Sequence, residues 1–194
     1  MGNVIVEFAP EKIIEAFGVN DPEDKKLLSD AIFYSGDWAK ADLGEVTFED
    51  ICNKAIRVLP EHLHQVTRQI IANWTDILPP IEGTAELIRK LKEEGFKIYL
   101  LSNAAKNQPD YWIKTPGNEY FDGTVISALE KYGKPDEKFY RILLDRYDLR
   151  PEESLFIDDM ERNLKTAERL GMKTYLFARD PEKLEEYISE LKKG

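Results

Sequence analysis

The chain has 194 residues, of which 42% are hydrophobic and 33% are charged, a balance that allows one well-packed domain with a modest insert and excludes wholesale disorder. Its 27 lysines and arginines against 37 aspartates and glutamates give a net charge of −10, which disfavours binding to nucleic acid or to an anionic membrane. No apolar run approaches the roughly 20 residues that span a bilayer, and no secretion signal opens the chain, so we expect a cytoplasmic protein.

The first residues combine a turn signal with a strand signal. The segment MGNVIVEF begins with the turn formers Gly2 and Asn3 and continues with an apolar, β-branched run that ends at Phe8. This pattern predicts the far side of a strand-and-turn unit whose near side would precede Met1.

Residues from about 11 to 80 have a different pattern. Four segments show helical periodicity, namely EKIIEAF, DKKLLSDAIF, FEDICNKAIRVL and HLHQVTRQIIANW, and there is no convincing strand between them. They predict a small helical module that ends at Pro79 and Pro80.

The second half alternates helices and strands. A helix is predicted from Thr84, as its N-cap, to a stop at Gly95, and the near-continuous apolar strand FKIYLLSN follows. Next come a strand near residues 124–127, a helix near 136–147, the strand SLFID, a helix near 161–170, the strand KTYLFA and a last helix from about Pro181. This alternation predicts an α/β fold with a parallel sheet that is covered on both faces.

Polar residues stand at the carboxyl ends of three predicted strands, where ligands bind in open parallel sheets. Ser102 and Asn103 end the first, Lys134 lies in the sequence GKP after the second, and Asp158 and Asp159 end the third. Each has a plain alternative, since such residues also cap helices and a lysine before proline is usually solvated. Their convergence on one edge nevertheless favours a single polar crevice.

The paired aspartates predict a metal site. Two adjacent carboxylates at the end of an apolar strand destabilise each other unless a cation neutralises them. Cys52 is the only cysteine, expected to be a small buried hydrophobe, and oxygen ligands alone favour Mg²⁺. Because consecutive strand residues point to opposite faces, we expect Asp158 to ligate directly and Asp159 to act through a water or hold a neighbour. Asn163 either orients the pair or is a plain surface residue.

Four segments in order, NVIVEF, LLSNAA, YGKPD and LFIDDMERNLKTAERLGM, resemble the haloacid dehalogenase-like hydrolase superfamily. The similar branch contains small-molecule phosphatases and the amino-terminal domain of bifunctional epoxide hydrolases. The resemblance covers essentially the whole chain and implies a doubly wound, Rossmann-like parallel sheet. Residues 1–10 and 80–194 would form this core, and residues 11–79 would be an inserted helical cap domain.

The resemblance also implies a reaction, the hydrolysis of small phosphorylated metabolites with Mg²⁺ through an aspartyl-phosphate intermediate. Ser102 and Asn103 would hold the transferring phosphoryl group, and Lys134 would offset its negative charge. Asp158 would bind Mg²⁺ with Asp159 alongside.

The first motif of the family departs from its usual form here. That motif is an apolar strand ending in the nucleophilic aspartate, and the alignment places this aspartate immediately before Met1. The chain as given therefore lacks the attacking carboxylate, and we expect the natural protein to start some residues upstream. Gly2 stands where many family phosphatases have an acid/base aspartate, which leaves protonation of the leaving group unassigned, although its backbone carbonyl is a predicted metal ligand.

Three other functions stay open. The aspartate pair disfavours a metal-independent dehalogenase of the same superfamily. A phosphoryl mutase usually relies on the second aspartate, which Gly2 replaces. A catalytically inactive binding or regulatory protein would keep the metal and phosphate pocket without a nucleophile, and the chain taken literally fits this function.

The helical module would close over the site and select the substrate. Trp38, Trp74, Asp42 and Arg68 are candidates for the contact surface, although packing inside the module is the favoured interpretation of both tryptophans. The sequence leaves open which metabolite is the substrate and whether the chain forms a homodimer.

Overall fold

The structure is a computed structural model that describes residues 1–193, which contain eleven α-helices and four β-strands. The helices are α1 (Pro10–Ala16), α2 (Pro22–Leu28), α3 (Asp37–Asp42), α4 (Phe48–Val58), α5 (His64–Asn73), α6 (Thr84–Glu93), α7 (Gln108–Trp112), α8 (Ser127–Glu130), α9 (Glu137–Arg146), α10 (Glu161–Arg169) and α11 (Pro181–Leu191). The strands are β1 (Tyr99–Ser102), β2 (Gly123–Ile126), β3 (Leu155–Asp158) and β4 (Lys173–Leu176). None of the helices within residues 1–193 has the length and apolar character that crossing a bilayer requires.

The strands form two parallel pairs. β1 lies beside β2, with Ser102 opposite Ile126, and β3 lies beside β4, with Asp158 opposite Leu176. Parallel pairing requires a crossover, and α7 and α10 lie in the two connections. The predicted α/β class with parallel strands is confirmed, with the pairing divided between two two-stranded sheets.

The first residues form a turn, so the strand predicted near Val4 to Phe8 is wrong. The carbonyl of Met1 accepts a hydrogen bond of 2.8 Å from the N–H of Ile5, and Val6 makes only isolated bridges. The backbone therefore folds back on itself at this point. The apolar side chains are nevertheless buried, since Ile5 and Val6 pack against residues of β1 and β2.

Residues 10–77 are mainly helical, as predicted, and they supply all but one of the buried members of a hydrophobic cluster, the exception being Ala105. The fully buried members of this cluster include Ile14, Ile32 and Ile70. α4 begins with a capping box, in which the N–H of Asp50 donates to the Thr47 hydroxyl and the Asp50 carboxylate accepts from the Thr47 N–H. This pair satisfies backbone donors that the first helical turn leaves free.

Two predicted boundaries differ from the structure. The N-cap of α6 is Gly83, with φ of 81°, and Thr84 is the first helical residue, so the prediction of Thr84 as the cap is wrong. Glycine adopts this left-handed conformation at little cost, which allows the sharp entry to the helix. The stop at Gly95 is confirmed, because its N–H donates to the carbonyl of Lys92. β1 starts only at Tyr99, three residues after the predicted start.

Candidate functional site

A pocket of about 240 Å³ lies at the carboxyl ends of β1 and β3. Its polar wall combines the three predicted groups of residues with the chain start, and includes Gly2, Asn3, Ser102, Asn103, Lys134, Asp159 and Asn163. Its opposite wall is largely aromatic and includes Phe8, Trp38, Asp42, Phe48, Trp74 and Tyr111. The structure therefore brings residues from the three predicted strand ends into one cavity, as open parallel sheets generally do, although Asp158 is not itself among the lining residues.

A buried ion pair lies at the base of the polar wall. The Nζ of Lys134 donates to Oδ2 of Asp158 at 2.7 Å, and the two side chains are only 9% and 3% exposed. Oδ1 of Asp158 accepts two further hydrogen bonds, from the N–H of Met160 at 3.0 Å and from Nδ2 of Asn163 at 2.7 Å. A buried ion pair needs such additional hydrogen bonds to offset the loss of hydration. Asp158 is therefore held in one orientation.

The loop that carries Lys134 is fixed from both sides. Oδ1 of Asn103 accepts from the Lys134 N–H at 2.7 Å, and Nδ2 of Asn103 donates to the Lys134 carbonyl at 2.9 Å. The hydroxyl of Thr166 donates to the carbonyl of Pro135 at 3.0 Å. A Cβ added at Gly133 would lie 3.1 Å from Oδ1 of Asn103, so glycine permits this close approach. In this arrangement Asn103 positions the lysine, and its predicted contact with a phosphoryl group stays a prediction.

Ser102 ends β1 and is only 3% exposed, yet it lines the pocket. Its hydroxyl makes one long contact of 3.4 Å, with the carbonyl of Asn103. The hydroxyl is therefore available to donate a hydrogen bond to an oxygen of a bound ligand.

The second aspartate differs from the first in exposure and in partners. Asp159 is half-buried, lines the pocket, and accepts a hydrogen bond of 3.2 Å from Nδ2 of Asn3. Asn3 is held in turn by Arg179, which donates to its Oδ1 at 2.7 Å. Asn163 is 4% exposed and bonded to Asp158, so the interpretation of Asn163 as a plain surface residue is wrong.

The donor set fits Mg²⁺. Residues 1–193 contain no group of three or more histidine, cysteine, aspartate or glutamate side chains that could hold a metal. Mg²⁺ does not need such a group, since it commonly binds through one or two carboxylates together with waters and a substrate phosphate. Asp158 and Asp159 supply two carboxylates, and the buried Oδ1 of Asn163 has no donor. A metal-bound water is a donor of the kind that this atom lacks.

Of the four candidates in the helical module, three line the pocket and one does not. Trp38, Trp74 and Asp42 lie in its wall, whereas Arg68 is exposed and donates to the carbonyl of His64. Trp74 is only 6% exposed and also belongs to the helical core. It therefore both packs inside the helical module and lines the pocket.

Sequence reasoning missed three aromatic residues of the pocket, namely Phe8, Phe48 and Tyr111. Tyr111 lies eight positions after the LLSN segment. Its position shortly after a strand end was the one signal in the sequence that could have placed it near the pocket. Helical periodicity identifies the buried face of a helix but not whether that face meets a core or a cavity.

Two kinds of comparison agree with this fold. A sequence model described as a haloacid dehalogenase-like hydrolase matches residues 4–171. A solved HAD-family enzyme from Bacteroides thetaiotaomicron has a TM-score of 0.67 and 26% identity, over 90% of this chain and 89% of that one. A structure of an alanine variant of the same enzyme contains magnesium and inorganic phosphate.

Curated relatives are matched over part of their length. The chain is 35% identical over 101 residues to a sesquiterpene phosphatase of Aspergillus oryzae, which is 50% of this chain and 50% of that protein. It is 26% identical over 151 residues to bifunctional epoxide hydrolase 2 of Rattus norvegicus, 69% of this chain and 26% of that protein. The chain thus spans half or less of these two relatives.

The fold is of the α/β class, and its pocket has a polar wall at the carboxyl ends of parallel strands. The chain belongs to the haloacid dehalogenase-like hydrolase family, and its relatives include phosphatases.

Proposed function

We propose that the protein is a Mg²⁺-dependent phosphatase of small phosphorylated metabolites that acts through an aspartyl-phosphate intermediate. The observation that carries the proposal is the buried Lys134–Asp158 pair beside the free hydroxyl of Ser102, at one edge of parallel strands. The phosphatases among the relatives, and the Bacteroides enzyme that binds magnesium and phosphate, support the same class of reaction.

Each polar residue has a proposed role. Ser102 and Asn103 hold the phosphoryl group. Ser102 does so directly, through its hydroxyl. Asn103 acts chiefly by fixing the backbone of Lys134, which contacts the group. The ammonium group of Lys134 offsets negative charge that develops in the transition state. Asp158, Asp159 and the backbone carbonyl of Gly2 would hold Mg²⁺. The metal, when bound, supplies neutralisation of the charge on the phosphoryl oxygens.

An aspartyl-phosphate intermediate requires a carboxylate that attacks phosphorus. The buried Asp158 and the pocket-lining Asp159 are assigned to the metal, so the attacking carboxylate would come from another position. A protein with no such carboxylate would bind metal and phosphate without turnover. This inactive binding protein is the second candidate function.

We also propose that residues 11–79 act as a cap over a core of residues 1–10 and 80–194. This division is supported by the hydrophobic cluster that comes mostly from the helical part and by the pocket, whose walls come from both parts. The aromatic wall favours phosphate esters whose alcohol portion is apolar, since such a group is stabilised by contact with aromatic side chains.

Two substitutions test the proposal. Lys134→Ala and Asp158→Asn should each lower kcat/KM for a phosphate monoester by at least about 10²- to 10³-fold, because each removes charge stabilisation at the transferring group. The matched controls are Lys138→Ala and Asp145→Asn, which change exposed residues of α9 and should retain near-parental activity. Near-parental turnover in either site variant would overturn the assignment.

A further inference from the structure

Asp42 is anchored to the polar wall although it belongs to the helical part of the chain. It is the last residue of α3, and its backbone carbonyl accepts a hydrogen bond from the hydroxyl of Ser127. That hydroxyl also accepts from the N–H of Ala104 at 2.9 Å, and Ala104 is two residues beyond Ser102. Ser127 is fully buried, so this connection is shielded from water. The position of Asp42 is therefore tied to the strand end that carries Ser102.

Asp42 lines the pocket, and its carboxyl group has no salt bridge or side-chain hydrogen bond with any of residues 1–193. Burial raises the pKa of this carboxyl to about 7. The same surroundings raise the pKa of the neighbouring Tyr111 phenol, first through burial and then through the charge of Asp42. An unpaired carboxyl with such a pKa is protonated in part near neutral pH and can donate a proton.

The lysines around α3 bond to partners other than the Asp42 carboxyl. Lys40 and Lys54 both pair with Asp37, and Lys131 donates to the carbonyls of Leu43 and Gly44. The other charged or titratable groups on neighbouring elements or across the pocket include Asp30, Glu49, Asp50, Arg57, Lys106, Tyr111, Glu130, Lys134 and Asp159. Asp30 pairs with Lys26, Glu130 with Arg146 and Lys134 with Asp158. None of the described cations forms a salt bridge with Asp42, and burial alone accounts for the raised pKa of its carboxyl.

The proposed phosphatase reaction needs an acid for its leaving group. An alkoxide is a poor leaving group unless it is protonated as the bond to phosphorus breaks. Gly2, which lines the same pocket, has no side chain that could supply this proton.

We propose that Asp42 is the general acid and base of the reaction, supplied from the helical part of the chain to the pocket that contains Ser102 and Lys134. This inference rests on the proposed phosphatase function. It assigns a catalytic proton transfer to a residue outside the strand-end motifs.

The proton balance has two halves. In the first, the nucleophilic carboxylate forms a bond to phosphorus, the bond from phosphorus to the ester oxygen breaks, and its electron pair stays on that oxygen. The carboxyl of Asp42 donates its proton there, which releases an alcohol and leaves Asp42 ionised. In the second half, water attacks the aspartyl phosphate while Asp42 accepts a proton from it. Phosphate leaves, the nucleophilic carboxylate is restored, and Asp42 is protonated again.

The test compares two phosphate monoesters with different demands for the acid. With an alkyl phosphate, Asp42→Asn should lower kcat by about 10²- to 10⁴-fold, the usual contribution of general acid–base catalysis. With 4-nitrophenyl phosphate, whose leaving group departs without protonation, the loss should be much smaller when formation of the aspartyl phosphate limits turnover. Single-turnover measurements isolate that step. In the wild-type protein the alkyl phosphate profile should lose activity above about pH 7, and Asp42→Asn should not show this limb.

The outcomes separate the two hypotheses. Glu45→Gln is the matched control, since Glu45 is an exposed acid three residues beyond Asp42, and it should behave as wild type. If wild type cleaves both esters but Asp42→Asn slows them equally or not at all, the acid role is overturned while the phosphatase function stands. If wild type cleaves neither ester, the proposed function is overturned and the acid role with it.

A second measurement does not depend on activity. The ¹³C resonances of aspartate carboxyl groups, followed by NMR during a pH titration, should include one that titrates near pH 7 in wild type. That resonance should be missing from Asp42→Asn and present in Glu45→Gln. Titration of Asp42 in the ordinary range of an exposed aspartate would overturn the proposal, whatever the fate of the variants in the assays.

Discussion

At the scale of single residues, the site depends on how completely each polar atom is paired. Asp158 has three donors on its two oxygens, and Asn103 has both polar atoms on the backbone of Lys134. These bonds make the polar wall rigid before any ligand arrives, which is the condition for effective electrostatic stabilisation of a transition state. Ser102, the carboxyl of Asp42 and Oδ1 of Asn163 retain free bonding capacity.

The residue types of the polar wall could be predicted, but their pairing could not. Strand ends in parallel sheets share an edge, and this rule brought Ser102, Lys134 and Asp158 together from sequence alone. The commitment of Asn103 to the backbone of Lys134 depends on a loop conformation that no periodicity encodes. The burial of Asn163 likewise depends on which face of α10 meets β3.

Asp42 should make the stability of the protein depend on pH. Its folded-state pKa is about 7 against a reference of 3.8, so between these values the folded state binds the proton more tightly than the unfolded state does. Stability from this group is therefore present at about pH 4 and is lost as the pH rises through about 7. Asp42→Asn lacks the effect, so its Tm relative to wild type should rise between about pH 4 and about pH 8.

The measurement is thermal unfolding of wild type, Asp42→Asn and Glu45→Gln over this pH range. Glu45→Gln should follow the wild-type curve, because Glu45 is exposed. A difference in Tm between Asp42→Asn and wild type that stays constant with pH would show that the carboxyl is not perturbed in the folded state.

At the scale of elements, the boundaries follow local chemistry that the sequence carries only in part. The capping box at Thr47 and Asp50 fixes the start of α4, and Phe48, the first residue of that helix, lies in the wall of the pocket. A threonine at the start of a helical pattern also predicted Thr84 as the N-cap of α6, and this prediction is wrong. The preceding Gly83 takes the left-handed conformation and is the cap itself. The apolar run near Val4 predicted a strand, but its N–H groups found a partner in the carbonyl of Met1.

Thr47→Ala should destabilise the protein by about 0.5–2 kcal/mol, because the N–H of Asp50 loses its acceptor and the first turn of α4 loses its cap. Thr47→Ser keeps the hydroxyl and should retain most of the stability. Urea denaturation provides the free energy of unfolding of both variants. Equal stability of Thr47→Ala and wild type would mean that the capping box does not hold this end of the helix.

At the scale of the whole molecule, the pocket lies where the helical part meets the strand ends. The sequence predicted both parts from the change in periodicity near residue 80, and the α/β class is confirmed. It named Trp38 and Trp74 as candidates for this surface while favouring core packing for both, and it missed Phe48, although all three line the cavity shared with Ser102 and Lys134. That arrangement is set by tertiary packing between segments distant in the chain, and periodicity within one segment does not report it.

The central claim, that this pocket hydrolyses phosphate esters with Mg²⁺, is tested most directly by phosphate release. The protein purified from the organism that makes it is incubated with a small phosphate monoester in Mg²⁺, after chelation, and after Mg²⁺ is restored. We predict release in Mg²⁺, its loss on chelation, and its recovery when the metal returns. Hydrolysis that survives chelation would contradict the role assigned to Asp158 and Asp159, and binding of phosphate with no release under any condition would instead identify an inactive binding protein.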